Sequence, residues 1–177
     1  MKVNIGKYPR KSGTERKVSV KIEPFDTWSL DHTLALIIHP ALLQLQKEKH
    51  GSPFVDDEDV PEELRSTAAP ELTEKQKAFG STDDFFHKRW EWVMGEMVWS
   101  FAQVLDDDAD SIFYSGEHDF TFVEMNPEET DPEKKAYEMK RGPNDTFSFD
   151  REGYDAWAAR KRNGFRLFGK YYEALWD

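Results

Sequence analysis

No cysteine occurs in this chain, so a disulfide framework, a thiolate zinc site and a cysteine nucleophile are all excluded. Long apolar runs are missing as well. The longest, Leu34-Ala-Leu-Ile-Ile38, falls far short of the roughly 20 residues that a membrane helix needs, and the first residues carry no signal-peptide core. The expectation is a cytoplasmic protein with no membrane contact. Positive charge is scarce: 24 Lys and Arg stand against 35 Asp and Glu, a net charge of -11. Affinity for a phosphate backbone comes from neutralising phosphates with Lys and Arg, so duplex nucleic acid is not an expected partner. A surface this acidic serves solubility first, and imitation of nucleic acid toward a DNA-binding protein is a minor reading. Also absent are Gly-x-Ser-x-Gly, a Walker loop, Gly-x-Gly-x-x-Gly and His-Glu-x-x-His, which removes the commonest hydrolase, nucleotide-hydrolase, dinucleotide and zinc-protease readings.

What the chain does hold is aromatic. Phe, Trp and Tyr make up 14% of its 177 residues, and each buried ring removes a large area from water, so few residues can build a core. The length fits one domain, residues 1–177. Val3 and Ile5, then Val18, Val20 and Ile22, alternate with polar residues about a turn at Lys11-Ser-Gly-Thr14, which predicts a hairpin over 1–23. A helical core is expected over 28–105. Its first helix starts at a cap on Thr27 or Ser29 and runs to about Lys49, with Pro40 kinking it or dividing it at His39. Leu30, Leu34, Ile37, Ile38, Ala41 and Leu45 share one face and Leu36 and Leu43 lie nearly opposite, a pattern that predicts burial on both sides.

Residues 67–80 read as irregular. A second long helix, capped at Ser81 or Thr82, reaches about Leu105, with Phe86, Trp90, Val93, Met97, Phe101 and Val104 on one face. Phe85, Trp92 and Trp99 form a ridge on the other side, which predicts sandwiching or a homo-oligomer. Phe120 to Met125, Ala136 to Lys140 and the Phe147–Phe149 segment predict a small antiparallel meander over 118–149. Asp150 caps a C-terminal helix over 150–177, whose apolar side carries Tyr154, Trp157, Ala158, Phe165, Phe168, Tyr172, Leu175 and Trp176. The expected class is α+β, mainly helical, with three principal helices and small antiparallel β elements.

Between the first two helices lies His50-Gly-Ser-Pro-Phe-Val-Asp-Asp-Glu-Asp-Val-Pro-Glu-Glu-Leu-Arg-Ser66, a built loop with four consecutive acids. It lacks the alternating ligands and central glycine of a calcium loop, so it is expected to cap Pro61 and to meet basic side chains. Together with Asp26-Thr-Trp-Ser-Leu-Asp31 and Asn163-Gly-Phe-Arg-Leu-Phe-Gly-Lys-Tyr-Tyr-Glu-Ala-Leu-Trp-Asp177, this loop resembles a family of small tailed-bacteriophage proteins. The resemblance implies an accessory or counter-defence role in the host-cell cytoplasm and implies no particular reaction.

Arg162, Arg166 and Lys170 follow at steps of four, with Tyr171 beside them, and Arg65, Arg89 and Trp90 can join them if the helices pack together. Guanidinium groups fork onto phosphate and aromatic rings stack on bases, so these seven residues are the candidate site for a small anionic nucleotide-like ligand. The competing reading is dipole compensation for the helix, with Glu173 neutralising Lys170, Asp84 pairing Lys88 and a loop acid pairing Arg89. His87 and Glu91, with His32 and His39 on the neighbouring helix, are a weaker candidate metal set. His118-Asp119 resembles a metal-phosphohydrolase dipeptide only superficially, because it opens a strand. Three functions follow: sequestration of a nucleotide-like signal, with no cofactor; inhibition of a host protein through the acidic loop and the aromatic ridge; and metal-dependent nucleotide hydrolysis.

Overall fold

The computed structural model describes residues 1–8 and 13–176. Lys11 and Ser12 of the expected hairpin turn, and Asp177 at the end of the C-terminal motif, lie outside the described residues. The class is α+β and mainly helical, as expected, with three long helices and three small antiparallel strand pairs among the described residues. The chain divides into two compact units, residues 1–107 with 160–177, and residues 108–159.

In the first unit, β1 (Lys2–Ile5) pairs with β2 (Val18–Lys21), placing Val3 opposite Val20 and Ile5 opposite Val18. These four side chains share one face of the hairpin by the two-residue period, and all four remain exposed. A 3-10 turn over Pro24–Thr27 follows, and Asp26 in it takes the ammonium of Met1. Helix α1 (Leu30–Glu48) then runs through Pro40 without dividing.

Only Ala35 and Leu42, one heptad apart, are fully buried on α1, where it packs on α3. The expectation of burial on both sides is therefore corrected: Leu30, Leu34, Leu36, Ile37 and Leu43 stay exposed. Periodicity reports which faces are apolar, and only one of those faces finds a neighbour within the unit.

Loop 50–66 folds into 3-10 turns at Asp57–Asp59 and Glu62–Leu64, and a third covers Ser66–Ala68. The segment read as irregular contains a short helix, α2 (Glu74–Ala78). Its start is a reciprocal box: the Thr73 hydroxyl accepts from the Gln76 N–H, and the Gln76 side chain accepts from the Thr73 N–H at 2.8 Å. Helix α3 (Phe86–Leu105) is preceded by Asp83, whose carboxylate accepts from the Phe85 N–H at 2.9 Å, so Asp83 rather than Ser81 or Thr82 bonds the incoming turn.

Trp90, Val93, Met94 and Met97 of α3 form the centre of the core with Leu167 and Tyr171. The ridge of Phe85, Trp92 and Trp99 is half-buried. Arg160 stacks over Trp99 at 4.0 Å and Lys88 over Phe85 at 4.8 Å, so cations cover two of its three rings. Helix α4 (Arg151–Lys170) begins in the second unit and ends in the first, followed by a 3-10 turn over Tyr172–Ala174. Two of the residues expected on its apolar side, Tyr172 and Trp176, are exposed, while Leu167 and Tyr171 are buried in their place.

In the second unit β3 (Tyr114–Ser115) pairs with β6 (Ser148–Phe149), and β4 (Phe120–Glu124) with β5 (Tyr137–Arg141). The Phe147–Phe149 segment therefore pairs with Tyr114–Ser115 and adds no third strand to the expected meander. At Gly116, in the left-handed region at φ 73°, a Cβ would stand 2.1 Å from the Thr146 carbonyl, so only glycine lets the two segments approach. Asp150 caps α4 as expected, its carboxylate accepting from the Gly153 N–H at 2.9 Å.

Candidate functional site

Asp59 is the centre of the candidate site, and its side chain is 0% exposed. Such a group survives burial only when fully bonded. Arg166 donates to its Oδ1 at 2.6 Å, and the Tyr171 hydroxyl and Lys170 ammonium meet its Oδ2 at 2.6 and 2.5 Å. Lys170 also reaches Asp56 at 2.8 Å and Glu58 at 3.1 Å. The Tyr171 oxygen accepts from the Asp56 N–H at 3.0 Å while its ring lies edge-on to Trp90 at 5.8 Å. The end of α4 thus fastens loop 50–66 to the core.

Four of the seven expected ligand residues come together here, namely Arg166, Lys170, Tyr171 and the buried Trp90. Arg89 lies apart from them on α3: it forks onto Asp83 at 2.6 and 3.0 Å and donates to the Leu64 carbonyl at 3.1 Å. Arg65 pairs with Glu62 at 3.6 Å. Arg162 is exposed and meets no acid among the described residues. The competing pairings are also revised. Lys170 takes the loop acids and not Glu173, Arg89 takes Asp83 and not the Asp56 to Asp59 run, and Lys88 covers a ring.

The cleft beside this cluster, about 500 Å³, is lined by Asp56, Asp57 and Asp83 together with Phe54, Phe86 and Arg89. Its one guanidinium is already forked, so an entering phosphate would face carboxylates. The histidine set does not converge. His87 bonds the Ser52 hydroxyl at 2.9 Å and Glu91 lies 3.7 Å from Lys49. Among the described residues the one convergent ligand group is Asp56, Glu58 and Asp59, and the Lys170 ammonium already occupies it.

Sequence reasoning missed the Arg160 fork on Glu96, with bonds of 2.9 and 2.7 Å, although the stacked Arg–Trp pair it completes involves the ridge residue Trp99. It also missed the charge distribution between units. Residues 108–159 hold five Lys or Arg against fourteen Asp or Glu, so this unit carries -9 of the chain's -11.

The chain matches no protein-family model, no curated protein and no solved structure. Among the described residues no helix is long and apolar enough to cross a membrane.

The Asp59 cluster contributes to the pH response. Burial raises the Asp59 carboxyl, but the bonds from Lys170, Tyr171 and Arg166 outweigh it and hold the group below its ordinary 3.8. Burial, then the bond to Asp59, pushes the Tyr171 phenol up to about 12. A depressed carboxyl stabilises above its unfolded value and loses that contribution as pH falls through the folded one; a raised phenol stabilises below pH 10.0 and loses its contribution toward 12. Ultraviolet titration of the folded protein should show a phenol that ionises only toward pH 12. The absence of any such late step would mean that the Tyr171 hydroxyl is not held.

Proposed function

We propose that this chain is a protein-binding factor whose acidic second unit docks on a basic protein surface. The observation that carries the reading is an exposed aromatic face set in that unit's concentrated negative charge. By the two-residue period, Phe120, Phe122 and Glu124 of β4 share a face with Arg141, Met139 and Tyr137 of β5, and the three rings and the methionine are exposed. Phe120 also begins a run of near-parallel rings: His118 at 4.8 Å, Phe147 a further 3.9 Å, Tyr114 at 6.1 Å and Phe149 at 5.0 Å.

Rings and methionine are what interface cores are enriched in, and the unit's net excess of carboxylates would steer a basic partner. The same charge repels nucleic acid. The sequence-based capture of a nucleotide-like signal would require Arg166 and Lys170 to leave the buried Asp59, whereas this surface is open as it stands. In the phage setting that the sequence resemblance implies, the partner is a protein of the bacterial host.

A photoreactive residue at position 122 of the full chain, mixed with bacterial lysate, tests this. A basic protein should be cross-linked there and not from position 63, and the adduct should disappear in about 1 M salt, where charges are screened beyond about 3 Å. Replacing Met139 with Asp should abolish it. An adduct insensitive to salt, or no adduct from position 122, would end the proposal.

A further inference from the structure

Helix α1 carries an unpartnered seam of its own. Leu30, Leu34, Ile37, Ala41 and Gln44 recur at alternating steps of four and three, and all five are exposed. That spacing is the seam by which one helix packs along another with a slight left-handed crossing. From His32 to Gln46 there is no Asp, Glu, Lys or Arg, in a chain of which 33% is charged. Depletion of charge is the mark of an interface core.

The seam is flanked by two grooves, of about 300 and 270 Å³, that meet at Ile37. One includes Val3 of the hairpin and Leu36; the other is lined by aliphatic residues of α1 with Phe168 and Leu175. Before the helix, Phe25 and Trp28 are 83% and 86% exposed. Rings of this kind present about 150–250 Å² each, so these two alone leave roughly 300 Å² in water.

We propose that two copies of this chain pair through α1, antiparallel, about a twofold axis near Ile37. Self-pairing is the occupant the charges favour. Residues 1–107 with 160–177 carry only -2, against -9 elsewhere, so two acidic chains meet with least repulsion on this unit and on this uncharged helix. With Ile37 on the axis, Leu34 of each copy meets the small Ala41 of the other, and Leu30 meets Gln44. Antiparallel packing also opposes the helix dipoles and turns the acidic start, at Asp31, toward the exposed Lys47 near the partner's end. The surface is distinct from the aromatic face of the second unit, so either assignment can fail alone.

Sedimentation equilibrium of the full chain at tens of micromolar should give twice 20.7 kDa. Ile37→Asp, which places two carboxylates at the axis, should raise the dimer dissociation constant at least about a hundredfold while leaving the helical circular dichroism unchanged. The absence of native cysteine supplies an independent reading if that variant folds poorly. Ile37→Cys should cross-link to its own kind under mild oxidation, and Glu63→Cys should not. A wild-type monomer, a folded Ile37→Asp variant that remains a dimer, or equal cross-linking of the two cysteine variants would each overturn the proposal.

Discussion

Asp59→Ala should lower the melting midpoint by about 10 °C and open loop 50–66 to proteolysis. Three donors converge on this fully buried carboxylate, from Arg166, Lys170 and Tyr171. Removing one partner of a buried ion pair costs about 3–5 kcal/mol, because the remaining groups are left desolvated and unpaired. The lower end applies here. Lys170 keeps Asp56 and Glu58, and Arg166 is half-exposed and can be rehydrated. At about 2–4 °C per kcal/mol for a chain of this size, a loss of about 3 kcal/mol gives the stated shift. The Tyr171 hydroxyl would retain only the Asp56 N–H, for which it is the acceptor, so its phenol should ionise closer to 10 in the same variant. A midpoint change under about 2 °C would show that the cluster does not hold the loop.

The second large effect is expected at Gly164, where the sign of a familiar substitution should reverse. In a helix interior, glycine to alanine ordinarily stabilises by about 1 kcal/mol. At Gly164 of α4 a Cβ would stand 1.9 Å from the Ser100 hydroxyl and 2.6 Å from the Glu96 carbonyl oxygen. The serine can rotate, but the carbonyl belongs to the backbone of α3 and moves only with the helix. The two helices must separate, which loosens Leu167 and the edge contact of Phe101 with Phe165 at 5.2 Å. Gly164→Ala should therefore destabilise by about 1–3 kcal/mol, and Gly164→Val by more. Gly169 in the same helix has nothing within 4 Å of its Cβ position, so Gly169→Ala is the control and should be neutral or stabilising. Equal effects of alanine at the two positions in denaturant melts would contradict the close approach.

The long helices were legible because their signals are local. A three-to-four-residue apolar period marks α1, α3 and α4, and Asp150 stands where a cap belongs. The box from Thr73 to Gln76 that starts the short α2 is equally local, yet the whole segment was read as irregular. Pairing between distant segments was not legible. Tyr114 faces Phe149 across 35 positions, and no turn signal joins them. The same limit governs the candidate site. Spacing by four aligned Arg166 and Lys170, but the carboxylate that binds both lies more than a hundred residues earlier, in a loop whose acids read equally well as caps. Exposure of α1 was also beyond periodicity. The pattern that predicts two apolar faces is the same whether the second face is covered by the chain's own elements or left open for another molecule.

Arg166 and Lys170 of α4 are spent on the chain's own loop, and in the function proposed above the outward surfaces serve protein contact. Calorimetric titration with ADP-ribose and with a cyclic dinucleotide, for the wild type and for Arg166→Ala, tests this most directly. No heat of binding is expected from either protein with either ligand. Tight, stoichiometric binding by the wild type that is lost in Arg166→Ala would show instead that a phosphate displaces Asp59, and nucleotide capture would then replace protein binding as the function of this chain.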